Sequence, residues 1–174
     1  METLERVAAW DRELCRRFNS VSHIVSLRFI FVAASRLGDG LFWYALMGAL
    51  LLAHGAAAAP AVVHMIGVGL FCTLLYKCIK ARTSRARPYA AQPGITVHAP
   101  PLDCYSFPSG HTLHAVAFSL VALRYYPELW PLLLPFAALV ALSRVVLGLH
   151  YPSDVVAGAA IGAAVAGLST HLTG

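Results

Sequence analysis

Six apolar segments occupy most of this chain and restrict what it can fold into. They cover residues 21–37, 41–58, 61–79, 109–126, 129–148 and 152–172. Each is close to the ~20 residues that an α-helix needs to cross the hydrocarbon core of a membrane. Of the 174 residues, 59% are hydrophobic and 12% are charged, whereas a soluble domain carries about 25% charged residues. We therefore predict an all-α bundle of six membrane-spanning helices.

Residues outside these segments are too few for a second domain. We predict a single integral-membrane domain over residues 1–174, with an extramembrane loop at residues 80–108. Residues 1–20 mix acidic and basic side chains and lack the apolar core of a secretory signal peptide. Their apolar residues lie near one side of a helix, which predicts an amphipathic helix on the membrane surface. These residues are Leu4, Val7, Ala8, Trp10 and Leu14.

Polar residues suited to phosphate chemistry occur in three short stretches. The first contains Lys80 and Arg87-Pro88, the second is Pro108-Ser109-Gly110-His111, and the third contains Ser143-Arg144, His150 and Asp154. The second stretch begins the fourth segment and the third lies between the fifth and the sixth, so two crossings separate them. Six spans would therefore bring all three stretches to one face of the membrane, together with the turn at Asp39.

The third stretch predicts a nucleophile. His150 and Asp154 are four residues apart, and in a helix such side chains share a face and can form a hydrogen bond. A carboxylate that accepts one imidazole N–H fixes the tautomer and leaves the other nitrogen with a free lone pair. We therefore predict that His150 attacks phosphorus and forms a phosphohistidine intermediate.

The second stretch predicts a helix start that faces an anion. Gly110 lets backbone N–H groups approach an anion closely, and Ser109 can donate a further hydrogen bond. His111 would then protonate the leaving alkoxide and later deprotonate the attacking water.

Basic residues complete the predicted site. Lys80, Arg87 and Arg144 would neutralise the phosphoryl oxygens, whose charge must be stabilised in the transition state. The planar fork of arginine suits bidentate contact with phosphate. Arg144 follows an apolar stretch, where an unpaired cation is costly. Arg82 and Arg85 are left outside the site, because cations beside a span also anchor it in the membrane.

Together, the three stretches resemble the signature of the type 2 phosphatidic acid phosphatase superfamily. That signature is Lys, six residues and Arg-Pro; then Pro-Ser-Gly-His; then Ser-Arg, five residues, His, three residues and Asp. Every position is matched in the family's order between Lys80 and Asp154. The superfamily also contains soluble vanadium haloperoxidases and glucose-6-phosphatase, so the resemblance implies a phosphate site before it implies a substrate.

The resemblance and the apolar segments together predict an integral-membrane lipid phosphatase that acts on a phosphate monoester or diphosphate. Similarity to short bacterial members implies undecaprenyl diphosphate, phosphatidylglycerophosphate or phosphatidate as substrate, and the sequence does not choose among them. A lipid phosphotransferase, in which an acceptor hydroxyl replaces water, is the nearest alternative. A non-catalytic lipid-phosphate binder or transporter would need neither the His150–Asp154 pair nor His111. Small size and the membrane layout disfavour a haloperoxidase.

No cofactor and no metal are predicted. The predicted active face offers the carboxylates of Asp39, Asp103 and Asp154, and the last is already paired. Divalent ions that assist phosphoryl transfer need clustered oxygen ligands. His111 and His114 lie one turn apart, as in a metal pair, but no third ligand is evident, and we expect His114 to be a pore-facing or packed polar group. Asp39 is expected to cap a helix.

Basic residues also predict which side of the membrane holds the site. Six spans would place Arg6, Arg12, Arg16, Arg17 and Arg124 beside both termini. The opposite face would hold Lys77, Lys80, Arg82, Arg85 and Arg87. With Lys80 and Arg87 set aside as catalytic, the positive-inside rule favours cytoplasmic termini and a periplasmic site in a bacterial inner membrane. The expected partners are a lipid phosphate and membrane lipids, without nucleic acid; the oligomeric state is left open.

Overall fold

The computed structural model describes residues 2–173. Within this range the chain forms helices joined by turns and short loops and contains no β-strand, which confirms the prediction of an all-α fold. The helices are α1 (Glu2–Ser20), α2 (Val25–Arg36), α3 (Phe42–His54), α4 (Ala59–Thr83), α5 (Pro88–Ala91), α6 (Gly110–Tyr125), α7 (Trp130–Val146) and α8 (Pro152–Thr173).

Several of these helices have the length and composition of membrane helices. Within residues 2–173, the stretches long and apolar enough to cross a membrane are Val25–Thr83, Pro127–Val146 and Pro152–Thr173. The first contains α2, α3 and α4, the second contains α7, and the third is α8. Helix α6 is shorter and lies in the centre of the bundle, where many of its side chains are buried.

Small residues let α6 and α8 pack closely. A Cβ atom on Gly158 would lie 2.6 Å from the carbonyl oxygen of Ser109, and one on Gly162 would lie 2.4 Å from that of Leu113. Both distances are too short for a real contact, so a side chain at either glycine would push the helices apart. Small residues at such contacts are typical of membrane helices. The Ser109 N–H also donates to the Asp154 carbonyl at 3.0 Å, which ties the starts of α6 and α8 together.

The loops at residues 84–109 and 147–151 form one face of the bundle, which we call the site face. Helix α1 lies against this face. The Asn19 side chain donates to the carbonyl oxygens of Thr96 and Val146, both at 2.9 Å, and accepts the Thr96 N–H at 2.9 Å. The prediction that the N-terminal segment lies opposite these loops is therefore wrong.

Helix α2 covers only part of the membrane thickness. Just before it, Asn19 contacts Val146 near the end of α7; just after it, a Cβ on Gly38 would touch Val140 of α7 at 3.0 Å. The two α7 residues are about 9 Å apart along the helix axis, whereas the hydrocarbon core is about 30 Å thick. Helix α2 therefore runs obliquely in the site-face half of the bundle and does not cross it alone.

Helices α2 and α3 together make one passage through the bundle. The turn Leu37–Leu41 joins them, with Gly40 at φ 135°, and it bends the chain without reversing it. Helix α3 then runs to His54, whose ring centroid lies 4.8 Å from that of Tyr126, just past the far end of α6. The first two predicted spans are thus a single broken passage. Within residues 2–173 we count five passages, which are α2 together with α3, and then α4, α6, α7 and α8. The sequence predicts six.

Candidate active site

The turn after α7 places His150 in the site. Gly148 adopts the left-handed conformation at φ 73°, and the N–H groups of Leu149 and His150 bond to the Arg144 carbonyl at 3.1 and 3.0 Å. These bonds satisfy the end of the helix. A Cβ on Gly148 would lie 2.8 Å from the Thr96 carbonyl oxygen, so glycine is required here on two grounds. Gly148 stands inside the third motif, but the sequence analysis assigns it no role.

Neighbouring groups select one tautomer of His150. Its Nε2 atom lies 3.2 Å from Nη1 of Arg87, and because a guanidinium only donates, Nε2 is the acceptor and the proton is on Nδ1. Nδ1 faces Oδ2 of Asp154 at 3.6 Å, beyond hydrogen-bond distance. That oxygen accepts the Tyr151 N–H at 2.8 Å. His150 lies in the turn before α8, so the expected helical hydrogen bond is not formed, although the two side chains do meet.

Burial and positive charge keep His150 neutral. The residue is 1% exposed and lies in the loop at residues 147–151. Burial lowers the pKa of His150 well below its ordinary value, and the charges of Arg144 and Arg87 lower it further. The neutral imidazole has the lone pair that a nucleophile needs.

A row of charged groups connects Asp154 to helix α1. Nη1 of Arg85 donates to Oδ1 of Asp154 at 2.7 Å, and Nη2 donates to Oδ2 of Asp11 at 2.6 Å. Asp11 also accepts the Ser153 N–H at 2.9 Å in the first turn of α8. The interpretation of Arg85 as a membrane anchor outside the site is therefore wrong, because this arginine holds the carboxylate that faces His150.

Lys80 and Arg87 share one carboxylate. Nζ of Lys80 donates to Oδ1 of Asp103 at 2.9 Å, and Nη2 of Arg87 donates to the same oxygen at 2.8 Å. Burial raises the pKa of Asp103, but the hydrogen bonds and charges of the two cations outweigh burial and hold that pKa below its ordinary value. Asp103 thus stays ionised and holds both cations together. From the sequence, Asp103 is considered only as a metal ligand.

Arg144 is buried at 2% exposure. Its Nη1 donates to the Ser35 hydroxyl, and within the described chain its Nε has no hydrogen-bond partner. The nearby carboxylates of Asp39 and Asp103 are paired with other cations. Arg144 therefore keeps hydrogen-bonding capacity and an uncompensated charge for a further anion.

The Ser109 hydroxyl caps a helix and does not bind phosphate as the sequence predicts. This hydroxyl lies 3.0 Å from the Thr112 hydroxyl and accepts the Thr112 N–H at 3.5 Å, so it caps the start of α6. The residue is fully buried and is not part of the cavity wall. Gly110 and His111, by contrast, line the cavity. An anion at the start of α6 would therefore contact the backbone and the His111 side chain, and not the Ser109 hydroxyl.

His111 is oriented by a carboxylate from the α2–α3 turn. Its Nε2 is hydrogen-bonded to Oδ1 of Asp39, so Asp39 acts on a catalytic candidate and does not cap a helix as expected. Nδ1 of His114 lies 2.9 Å from the Gly110 carbonyl oxygen, and Nε2 lies 3.1 Å from the Thr73 hydroxyl. Both nitrogens of His114 are thus committed to packing between α6 and α4, as the sequence predicts.

A cavity of about 310 Å³ joins these groups to an apolar groove. Its polar end is lined by Lys80, Arg87, Asp103, Gly110, His111 and His150. Its apolar end is lined by Trp43, Met47, Ile66, Leu70 and Phe118. Of the predicted site residues, Ser109, Arg144 and Asp154 stand behind this wall. Within residues 2–173, no three His, Cys, Asp or Glu side chains come together in an arrangement that would hold a metal ion.

The sequence profile of the PAP2 superfamily matches residues 50–174. The chain belongs to the PAP2 superfamily. Its matched region holds the three motifs and every residue of the predicted site. The family assignment therefore agrees with the resemblance that the motifs carry.

Relatives of known identity include two prenyl-lipid phosphatases. The chain is 35% identical over 136 residues to decaprenylphosphoryl-5-phosphoribose phosphatase of Mycobacterium tuberculosis, covering 75% of this chain and 70% of that protein. It is 27% identical over 175 residues to undecaprenyl-diphosphatase of Sulfolobus acidocaldarius, covering 97% of this chain and 81% of that protein.

A solved structure shares the fold. It is the transmembrane PAP2-type phosphatidylglycerolphosphate phosphatase of Bacillus subtilis, with a TM-score of 0.78 and 21% identity over 97% of this chain and 86% of that chain. At this identity the likeness concerns the fold alone. It agrees with the apolar helices in assigning the chain to the integral membrane proteins.

Proposed function

We propose that this protein is an integral-membrane lipid phosphatase that hydrolyses a phosphate monoester or diphosphate through a phosphohistidine at His150. The observation that carries the proposal is the position of Nε2 of His150. This acceptor atom lies beside Arg87 at the polar end of a cavity whose other end is apolar. A lipid phosphate has the same division into a charged head and an apolar tail.

In the first step, Nη1 of Arg87 moves its hydrogen bond from Nε2 of His150 to a phosphoryl oxygen. The freed lone pair on Nε2 then attacks phosphorus while the bond from phosphorus to the lipid oxygen breaks. Lys80, Arg87 and Arg144 stabilise the charge on the phosphoryl oxygens. The free Nε–H of Arg144 would gain an acceptor from the phosphoryl group. His111 gives its proton to the leaving oxygen when that group is an alkoxide. When the substrate is a diphosphate, the leaving group is a lipid phosphate, which can leave without a proton from His111.

In the second step, water attacks phosphorus and the bond between phosphorus and Nε2 of His150 breaks. His111 takes a proton from the water, so the groups return to their starting states. Asp39 stabilises the protonated form of His111 before the first step and after the second, because the carboxylate faces its Nε2.

The reaction is proposed to need no metal. Lys80 and Arg87 line the polar end of the cavity and Arg144 is buried behind it. Together these three cations supply the positive charge that Mg²⁺ supplies in other phosphoryl-transfer enzymes. The carboxylates nearby are occupied, since Asp103 pairs with two of these cations and Asp39 pairs with His111.

A prenyl or acyl lipid phosphate is the substrate class that the cavity favours. Relatives are named for decaprenylphosphoryl-5-phosphoribose and undecaprenyl diphosphate, and both compounds join a phosphate to a long apolar chain. Undecaprenyl diphosphate, phosphatidylglycerophosphate and phosphatidate remain the specific proposals. A lipid phosphotransferase would use the same first step with a different acceptor. A binder or transporter would have no use for the Asp39–His111 pair.

The test is phosphate release from a panel of lipid phosphates in detergent, measured with and without EDTA. We expect release from at least one long-chain lipid phosphate, unchanged by EDTA, with inhibition by vanadate and no release by His150→Ala. Activity that EDTA abolishes and magnesium restores would contradict the metal-free mechanism. Tight binding without release of phosphate from any lipid would contradict the proposal of a phosphatase.

A further inference from the structure

Basic residues are distributed very unequally between the two faces of the bundle. The site-face half holds Arg6, Arg12, Arg16, Arg17, Arg28, Arg36, Lys77, Lys80, Arg82, Arg85, Arg87 and Arg144, which are all but one of the 13 lysines and arginines. The exception is Arg124, which lies in the last turn of α6 at the opposite face. Setting Lys80, Arg87 and Arg144 aside as phosphate ligands leaves the imbalance intact.

Helix α1 contributes four of these arginines, and its position decides the count. Asp11, Cys15 and Asn19 are buried against the site-face loops, so the four arginines of α1 must lie on that face. The neighbouring side of the helix exposes Val7, Trp10, Leu14 and Phe18. An exposed apolar stripe beside a charged one is the pattern of a helix that lies at a membrane surface.

From this distribution we infer that the catalytic face lies in the cytoplasmic leaflet. Membrane proteins retain Lys and Arg near their spans on the cytoplasmic side, and this rule counts the cations rather than the net charge. With six spans the α1 arginines would lie on the face opposite the site, and the positive-inside rule would then give a periplasmic site. Once α1 is placed on the site face, the same rule gives the opposite orientation.

This orientation, together with the proposed function on which this step rests, indicates what kind of reaction supplies the substrate. The lipid phosphate must be present in the cytoplasmic leaflet when it is hydrolysed. The reaction that supplies it is therefore a cytoplasmic one that joins a soluble phosphorylated compound to an apolar chain, because soluble phosphorylated compounds are retained in the cytoplasm. The dephosphorylated lipid is released into the same leaflet.

The chain carries a natural reporter for the orientation. Cys104 is exposed in the site-face loop, whereas Cys15 and Cys72 are buried. In a Cys78→Ser background, Cys104 becomes the exposed thiol of the described chain. A matched reporter for the opposite face is Glu128→Cys in a background that also carries Cys104→Ser, because Glu128 is exposed in the turn between α6 and α7.

The experiment labels both reporters with a membrane-impermeant maleimide in right-side-out spheroplasts and in inverted inner-membrane vesicles. We expect Cys104 to react only in inverted vesicles and the Glu128→Cys thiol to react only in spheroplasts. Reaction of Cys104 in spheroplasts, alone or together with reaction in inverted vesicles, would overturn the inference. Phosphate release in detergent checks that both variants are folded.

Sealed vesicles give a second measurement that separates the inference from the proposed function. A lipid phosphate delivered to the outer surface should be hydrolysed by inverted vesicles without detergent, and by right-side-out vesicles only after permeabilisation. The reverse pattern would overturn the cytoplasmic orientation and leave the phosphatase intact. Absence of activity in detergent, with Cys104 labelled from the cytoplasmic side, would reject the phosphatase and leave the orientation.

Discussion

Asp154 is held from two directions, and each contact contributes to the position of His150. Its Oδ2 accepts the backbone N–H of Tyr151, which fixes the start of α8, and its Oδ1 is bound by Arg85. Arg85 is in turn bound by Asp11 from α1. Asp11 touches none of the reacting atoms, so we regard it as a positioning residue that acts through Arg85.

Asp11→Asn is expected to lower kcat about 10- to 100-fold and to leave KM nearly unchanged. A hydrogen bond to a charged group contributes ~1.5–3 kcal/mol, and each ~1.4 kcal/mol corresponds to tenfold in rate. The matched control is Glu13→Gln on the same helix, because Glu13 pairs with the exposed Arg16 and Arg17. Steady-state kinetics on a lipid phosphate in detergent give kcat and KM for both variants. Equal kinetics for the two variants would show that Asp11 has only a structural part.

Asp39→Asn is expected to slow a substrate with an alkoxide leaving group far more than one with an activated phenolate. Asp39 holds the proton donor His111, and general acid catalysis contributes about 10²–10⁴-fold. A phenolate leaves without protonation, so its release should be nearly unaffected. Rates on the paired substrates, measured with the same enzyme preparation, give the ratio directly. A similar loss on both would indicate that Asp39 serves the fold or the phosphate site.

The motif residues were predictable because they stand at fixed spacings within a short stretch of chain. Their supporting groups were not. Asp11 and Arg85 are 74 residues apart, and Asp39 and His111 are 72 apart, so no local pattern links them. Ser109 was assigned to the phosphate because its hydroxyl can donate, whereas in the fold that hydroxyl is used to cap α6.

Helices α2 and α3 explain why the apolar pattern predicts one passage too many. A hydropathy pattern records how apolar a segment is and not where the chain turns. Gly38 and Gly40 are typical of a turn that reverses direction, but here the turn only bends the chain around Asp39. The irregular backbone lies at the cavity wall, where a break in a membrane helix can be tolerated.

Contact between α6 and α8 sets the distance between the second and third motifs. Gly162→Ala is expected to lower stability by ~1–3 kcal/mol, as overpacking does in other cores, because its Cβ would lie 2.4 Å from the Leu113 carbonyl oxygen. Gly167→Ala on the same helix is the control, since no atom lies within 4 Å of its Cβ. Thermal unfolding in detergent should show a lower Tm for Gly162→Ala alone. Equal Tm values for the two variants would contradict this account, because they would show that α6 and α8 accommodate a methyl group at residue 162 without loss of stability.

The whole molecule joins a charged pocket, an apolar groove and a cationic face in one small bundle. Five passages leave α1 on the same face as the catalytic groups, so the arginines of α1 and the phosphate-binding cations are on one side of the membrane. The cavity opens from these cations into side chains such as Trp43 and Leu70. A substrate that fills both ends must keep its phosphate at the membrane surface and its chain in the apolar groove.

Formation of a covalent phosphoenzyme tests the central claim most directly. The substrate with the highest turnover, labelled at its terminal phosphate, is mixed with the protein and quenched in alkali within the first turnover. Digestion and mass spectrometry then locate the label, with His150→Ala as the control. We predict acid-labile phosphate on Nε2 of His150 and none on the control. Rapid turnover by the wild-type protein with no label on His150, or turnover by His150→Ala, would contradict the account.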